Sequence, residues 1–326
     1  TRVLFTRGTF DRATDRRTGE LWLAHVDASG RIIDKRLLVG RDASARQYSF
    51  SPDGSRIAYV AQHLGRPQIF VMALADAVGR PLTSGELSPG GAVWSPDGKR
   101  LAFVGRVEAK PVPIPGMPEK PKGQGIDAAA DAKIVTDLFW RADGAGEIKP
   151  GANHLFVADA ASGVVTQLTT GDTDRIDSDG GLDWTKDGRA IIGAFTADPV
   201  NGPQEVDLYL YEAKLGDGGK MWPPTRLTTR AGSEVAPQVS PDGRTVAFVG
   251  AAASDQFYGM PELWTTGVVP GSPIRHLSQA LDRPIGGYGW DADGASLHVL
   301  YNDEGTQRLA RMDAATGATT VMIPSV

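Results

Sequence analysis

Trp94-Ser95-Pro96-Asp97-Gly98-Lys99-Arg100-Leu101-Ala102-Phe103-Val104 is the stretch that decides the fold, because the chain keeps rewriting it. It appears as Phe50-Ser51-Pro52-Asp53-Gly54 followed by Arg56-Ile57-Ala58-Tyr59-Val60, and as Trp184-Thr185-Lys186-Asp187-Gly188 followed by Ala190-Ile191-Ile192. It returns as Val239-Ser240-Pro241-Asp242-Gly243 before Thr245-Val246-Ala247-Phe248-Val249, and as Trp290-Asp291-Ala292-Asp293-Gly294 before Ser296-Leu297-His298-Val299-Leu300. In three copies Pro (52, 96 and 241) presets the φ of a type I turn, and in every copy Asp can hydrogen-bond its own backbone and Gly accepts positive φ. β-branched and aromatic residues flank the turn, so the unit reads as strand, tight turn, strand.

A second phrase follows each turn: an apolar strand, another turn, and a strand ending in Leu-Thr or Leu-Ser. Ile69-Phe70-Val71-Met72 leads to Leu82-Thr83, Leu155-Phe156-Val157-Ala158 to Leu168-Thr169, Leu208-Tyr209-Leu210-Tyr211 to Leu227-Thr228, and Leu263-Trp264-Thr265-Thr266 to Leu277-Ser278. The turn Asp recurs at 53, 97, 187, 242 and 293, at intervals of 44, 90, 55 and 51 residues. A single hairpin is unstable in water, and repetition lets each unit bury its faces on the next. Four strands at a period of roughly 40–50 residues predict an all-β β-propeller of four-stranded blades. Residues 1–326 form one such domain in this reading.

Six units are recognisable. The first is partial: Val3 to Arg7, Leu21 to Val26 and Arg36 to Val39 read as strands, and the polar run Asp11 to Glu20 as a loop. Because the chain starts inside a repeat, it is expected to be a piece of a longer polypeptide. Because a ring must close to remove its edges, seven blades are expected, the seventh completed by residues outside this chain or by pairing of its first and last strands. The long interval after Asp97 hides an insertion at about 107–150 in the third blade. Five prolines between positions 111 and 121 forbid regular helix or central strand there and predict an extended surface excursion.

Composition narrows the function. The 326 residues are 41% apolar and contain 40 Gly and 22 Pro, as many turns require. A net charge of −5 with interspersed signs argues against nucleic-acid binding. No apolar run approaches the ~18 residues of a membrane span. The chain has no cysteine, which excludes thiol catalysis and thiolate metal sites. The expected compartment is the cytoplasm.

The third unit carries a more specific signal: Phe139-Trp140-Arg141-Ala142-Asp143-Gly144-Ala145-Gly146, then His154-Leu155-Phe156-Val157, then Gln167-Leu168-Thr169-Thr170-Gly171-Asp172. With the repeats, it resembles the propeller domain of prolyl-oligopeptidase-family serine peptidases, in the acylaminoacyl-peptidase or dipeptidyl-aminopeptidase branch. The resemblance covers essentially the whole chain. It implies a C-terminal α/β-hydrolase partner carrying the Ser, Asp and His of catalysis, and a propeller that admits short peptides while excluding folded proteins. No Gly-x-Ser-x-Gly elbow occurs in these residues, so no catalytic residue is assigned here.

Local candidates are weighed against plainer readings. Arg141 and Asp143, beside the insertion, are the candidate substrate contacts, against a loop-stabilising pair. Asp172, Asp174, Asp177 and Asp179 suggest calcium, but their spacing is not that of an EF-hand, and a solvated loop is preferred. His25, His63, His154, His276 and His298 show no zinc spacing, and packed or surface roles are preferred. Trp94, Trp184 and Trp290, with Phe50 and Val239, share one slot per repeat and read as core between blades, not as a binding platform. No metal or cofactor is expected. The rival reading is a stand-alone propeller that binds a protein partner, like that of the periplasmic Tol system.

Overall fold

In a computed structural model the described residues are 1–12, 16–27, 31–109, 114–116, 134–135, 141–142, 146–148, 150–177, 181–196, 205–253 and 259–323. They build a nearly all-β chain of six antiparallel blades. Blade 1 holds β1 (Arg2–Asp11), β2 (Arg16–Val26) and β3 (Ile32–Val39). Blade 2 holds β4 (Arg46–Phe50), β5 (Arg56–His63), β6 (Arg66–Ala73) and β7 (Gly79–Pro81). In blade 3 the first strand is split into β8 (Ser88–Pro89) and β9 (Val93–Trp94), both paired to β10 (Arg100–Glu108). A small ribbon follows, β11 (Arg141–Ala142) with β12 (Gly146–Glu147), before β13 (Gly151–Asp159) and β14 (Val165–Gln167) complete the sheet.

Blade 4 holds β15 (Leu182–Trp184), β16 (Ala190–Phe195), β17 (Asp207–Glu212) and β18 (Thr225–Arg226). Blade 5 holds β19 (Gly232–Val239), β20 (Thr245–Ala252), β21 (Glu262–Gly267) and β22 (Arg275–His276). Blade 6 holds β23 (Ile285–Trp290), β24 (Ser296–Asp303), β25 (Thr306–Asp313) and β26 (Thr319–Ile323). β10 pairs directly with β13, Glu108 opposite Gly151.

The turn chemistry recurs as expected. Ser51 Oγ donates to Asp53 Oδ1 at 2.5 Å and accepts from Arg56 N at 3.0 Å, while Asp53 Oδ1 accepts from Ser55 N at 3.0 Å. Ser95/Asp97, Thr185/Asp187 and Ser240/Asp242 repeat the arrangement. A second hydroxyl recurs at the far end of each blade. Thr83, Thr169, Thr228 and Ser278, the residues after Leu in the Leu-Thr phrase, accept from the backbone N–H of Ile69, Leu155, Leu208 and Leu263. Each closes the third strand onto the end of the fourth, where the ladder would otherwise leave a buried donor unmatched.

Blades pack face to face through five buried clusters, one for each consecutive pair. Leu21, Leu23, Ile57 and Tyr59 join blades 1 and 2, and Val60, Ile69, Leu101 and Phe103 join 2 and 3. Val104, Leu155, Trp184 and Tyr211 join 3 and 4; Ile192, Leu208, Val246 and Phe248 join 4 and 5; Leu263, Leu297, Val299 and Met312 join 5 and 6. The shared tryptophan slot lies in these junctions: Trp94 and Trp184 are buried core, as the repeat implied.

The described residues form six blades, the number recognisable in the sequence, and no buried cluster among them joins blade 6 to blade 1. The first sheet has three strands, lacking the strand that precedes the turn in the others. One expectation changes. The polar run expected as a loop from Asp11 to Glu20 is instead mostly ladder: β1 and β2 pair without a break from Arg2–His25 to Asp11–Arg16. This part of the hairpin extends beyond the packed interface, so its residues need no apolar face. Gly8 opposite Gly19 and the Thr9–Thr18 hydroxyl pair at 3.1 Å carry the register outward.

Candidate functional site

Antiparallel order sorts the connections onto two faces of the ring. One face carries the Ser-Pro-Asp-Gly turns and the turns joining third to fourth strands. At the other face the second strands end and the third strands begin.

The same side holds a row of buried polar groups near the start of the third strand in blades 2 to 5: Gln68, His154 and Asp207 are almost fully buried, and Glu262 is half-buried. Gln68 Oε1 accepts from the Thr83 hydroxyl at 2.6 Å, and His154 Nδ1 lies 3.3 Å from Thr169 Oγ1. Burial pushes the His154 imidazole below its ordinary range, favouring the neutral form.

In blades 4 and 5 the row becomes an ionic network. Asp207 Oδ2 meets Arg226 Nη2 at 2.6 Å. Burial pushes Asp207 up, and the Arg226 contact pulls it back. Glu234 of β19 is fully buried; its Oε2 accepts from the Thr228 hydroxyl, and its Oε1 lies 3.4 Å from Arg230 Nε. Burial, the largest effect, pushes Glu234 up to about 7, against the Thr228 bond and the Arg230 charge. The Arg230 guanidinium stacks over Trp264, 4.5 Å from the ring centroid, and His276 stacks on the same indole at 4.1 Å. His276 Nε2 is 3.3 Å from Glu262 Oε1. These groups are engaged with one another. Among the described residues, no hydroxyl–imidazole–carboxylate chain is arranged for nucleophilic attack. The nearest arrangement, Ser296, His298 and Asp291, has both the hydroxyl and the imidazole bound to the one carboxylate.

Of the residues singled out in the sequence, Arg141 is exposed on the ribbon within the excursion, and Asp143 lies outside the described residues. Asp174 accepts from the Asn153 backbone N–H at 2.7 Å and from its side chain at 3.1 Å, and sits 3.9 Å from Arg106. It ties the loop after blade 3 to β13. The Asp177 backbone N–H donates to the Ala194 carbonyl at 2.9 Å, and Asp179 lies outside the described residues. The network of Asp207, Arg226, Arg230 and Glu234 was not foreseen. The Leu-Thr phrase that positions it was read only as the end of a strand.

No family model matches the chain. Against curated proteins the chain is 24% identical over 321 residues to dipeptidyl-peptidase 5 of Porphyromonas gingivalis, covering 94% of this chain and 44% of that protein. The chain thus spans less than half the length of the relative it matches. The chain resembles a peptidase propeller. Acylaminoacyl peptidase from Pyrococcus horikoshii superposes with a TM-score of 0.71 at 15% identity, covering 99% of this chain and 44% of that one. TolB from Acinetobacter baumannii superposes with a TM-score of 0.57 at 17% identity, over 99% of this chain and 64% of that one. Both likenesses establish the fold. Among the described residues no helix is long and apolar enough to cross a membrane.

Proposed function

We propose that this chain is the non-catalytic propeller of a serine oligopeptidase of the prolyl-oligopeptidase type, gating the access of short peptides to an α/β-hydrolase domain. The observation that carries the reading is the end-to-end match to a dipeptidyl peptidase of which this chain accounts for 44%. In this reading the propeller bounds the substrate cavity, and separation of the two domains is part of turnover. Arg141 and Asp143 are the proposed substrate contacts, carried by the excursion of blade 3.

A protein containing this propeller and a hydrolase domain would be assayed on a ladder of peptides, beside the 326 residues alone. Cleavage limited to short peptides by the former, and none by the latter, supports the proposal. Turnover by the isolated propeller that survives repurification sinks it. The likeness to TolB sustains a second reading, a propeller that binds a protein partner. Reading the coding sequence after Val326 separates the two. A Gly-x-Ser-x-Gly elbow favours the peptidase, and a stop codon favours the binding module.

A further inference from the structure

The blades are not all joined alike. Across the first three junctions an arginine at the start of the second strand reaches the next blade. Arg2 lies over Phe50, Arg56 over Trp94 and Arg100 over Trp184, at 5.6, 4.8 and 4.8 Å from the ring centroids. Arg56 and Arg100 also donate to the Gly98 and Gly188 carbonyls of the following turn, each at 2.7 Å. Between blades 4 and 5 the device is missing: Ala190 stands in the arginine position and Val239 in the aromatic one.

Two carboxyl groups occupy this junction instead. Asp183 of β15 accepts from the Val239 backbone N–H across the junction at 2.7 Å, and from Trp184 N–H at 2.8 Å. Glu234 of blade 5 is bonded to Thr228 of blade 4, whose Oγ1 also accepts from Leu208 N–H at 2.9 Å. Glu234 Oε1 and Arg230 Nε are buried and lack a hydrogen bond. Asp183 is faced from β23 by Tyr288, whose hydroxyl donates to the Ala247 carbonyl at 2.9 Å. Glu234 is faced by Arg230 on the connection between the blades and by Asp207 and Arg226 of blade 4.

We propose that the junction between blades 4 and 5 is a proton-controlled joint of the ring, closed while Asp183 and Glu234 are neutral and loosened when they ionise. Closing the junction removes both carboxyls from water, which disfavours the charged form, and opening returns them to it. Burial accordingly holds Asp183 up at about 6 and Glu234 up at about 7, against ordinary values of 3.8 and 4.5. The closed state binds the extra protons. Closure is therefore fully favoured below about pH 4, and the advantage is lost as the pH rises through 6 and 7. If opening hydrates Asp183 fully, its ionisation alone shifts the closed-to-open ratio by roughly 100-fold. The arginine-held junctions have no such dependence, because a guanidinium stays charged throughout. At the junction of blades 5 and 6, Gln238 Nε2 and Trp290 Nε1 donate to the Tyr288 and Gln238 carbonyls at 3.0 and 3.1 Å, and these groups are neutral.

The absence of cysteine allows a direct test. Spin labels are placed at Arg189→Cys and Arg244→Cys, equivalent turn positions across the 4–5 junction. A second pair at Ser55→Cys and Lys99→Cys spans junction 2–3. Electron–electron distances are then measured from pH 5 to pH 8. The proposal expects the 4–5 distance to lengthen and broaden with rising pH while the 2–3 distance holds. Asp183→Asn with Glu234→Gln should keep the 4–5 pair at its short distance at both ends of the range. If that double variant does not fold, Glu234→Gln alone should remove the response above pH 6 and leave the lower part. A pH-independent 4–5 distance, an equal response at both junctions, or a response that survives neutralisation overturns the proposal.

Discussion

Arg100 of blade 3 donates from Nη2 to the carbonyl of Gly188 in blade 4 at 2.7 Å, while its guanidinium lies over Trp184, 4.8 Å from the ring centroid. Its Nη1 also reaches the Ala213 carbonyl at 3.2 Å. One side chain thus ties the second strand of one blade to the turn, the core aromatic and the third strand of the next. Replacing Arg100 with Ala should cost about 2–3 kcal/mol, from hydrogen bonds to a charged donor plus the ring contact. The melting temperature should fall by about 3–4 °C in calorimetry, given the unfolding entropy of a chain this long. Arg100→Lys should recover less than half, because an ammonium lacks the planar fork of donors that reaches both carbonyls and the ring. A fall of under a degree for the alanine variant would show that the contact carries no stability.

Gly98 sits at φ +65, and a Cβ there would come within 3.2 Å of Arg56 Nη2. Gly65, at φ +82, has nothing within 4 Å of its virtual Cβ. Gly65→Ala should therefore report the left-handed backbone cost alone, about 1 kcal/mol. Gly98→Ala should cost more, since it also displaces the arginine. Equal costs in urea unfolding would mean that the arginine accommodates the methyl group freely.

The turn carboxylates Asp97, Asp187 and Asp242 are all held below the usual range. The Ser95 hydroxyl is the leading cause for Asp97, the Arg189 backbone N–H for Asp187 and the Ser240 hydroxyl for Asp242. A lowered carboxyl contributes stability that is present above its unfolded value and is lost as the pH falls through the folded one. The urea midpoint should therefore drop below about pH 4, and Asp97→Asn should flatten that limb. An acid limb unchanged in the variant would remove Asp97 from the cause.

Glu234 has the opposite sign. Its raised value means that the ionised form is a burden on the folded state at neutral pH. Glu234→Gln should be close to neutral at pH 5 and more stable than the parent at pH 8, by up to roughly 3 kcal/mol. Loss of the Arg230 partner would reduce that gain. A variant less stable at pH 8 than at pH 5, relative to the parent, would show that the carboxylate is held by the arginine rather than penalised.

What could be read in the sequence followed from local rules. Each Ser-Pro-Asp-Gly turn is fixed by its own side chains, so Asp53, Asp97, Asp187 and Asp242 could be placed before any fold was known. The tryptophan slot was legible because it recurs. The arginine staples were also written in the repeat, in Asp53-Gly54-Ser55-Arg56 and Asp97-Gly98-Lys99-Arg100. Their targets are 42 and 88 residues away at Gly98 and Gly188, however, and no local rule specifies such a partner. The Asp183 and Glu234 contacts were illegible for the same reason: their meaning depends on what Ala190 and Val239 leave unfilled. The extended β1–β2 hairpin was missed because its outer half lacks the apolar alternation on which strand reading depends.

The gating proposal is tested most directly by the size limit on substrates. Initial rates would be measured on a peptide ladder from dipeptides to unfolded polypeptides, using a protein that joins this propeller to a hydrolase domain. The same ladder would be run on Arg141→Ala. The account predicts a sharp fall in kcat/KM beyond short peptides, with a raised KM and little change in kcat for the variant. Undiminished cleavage of long unfolded chains would contradict it.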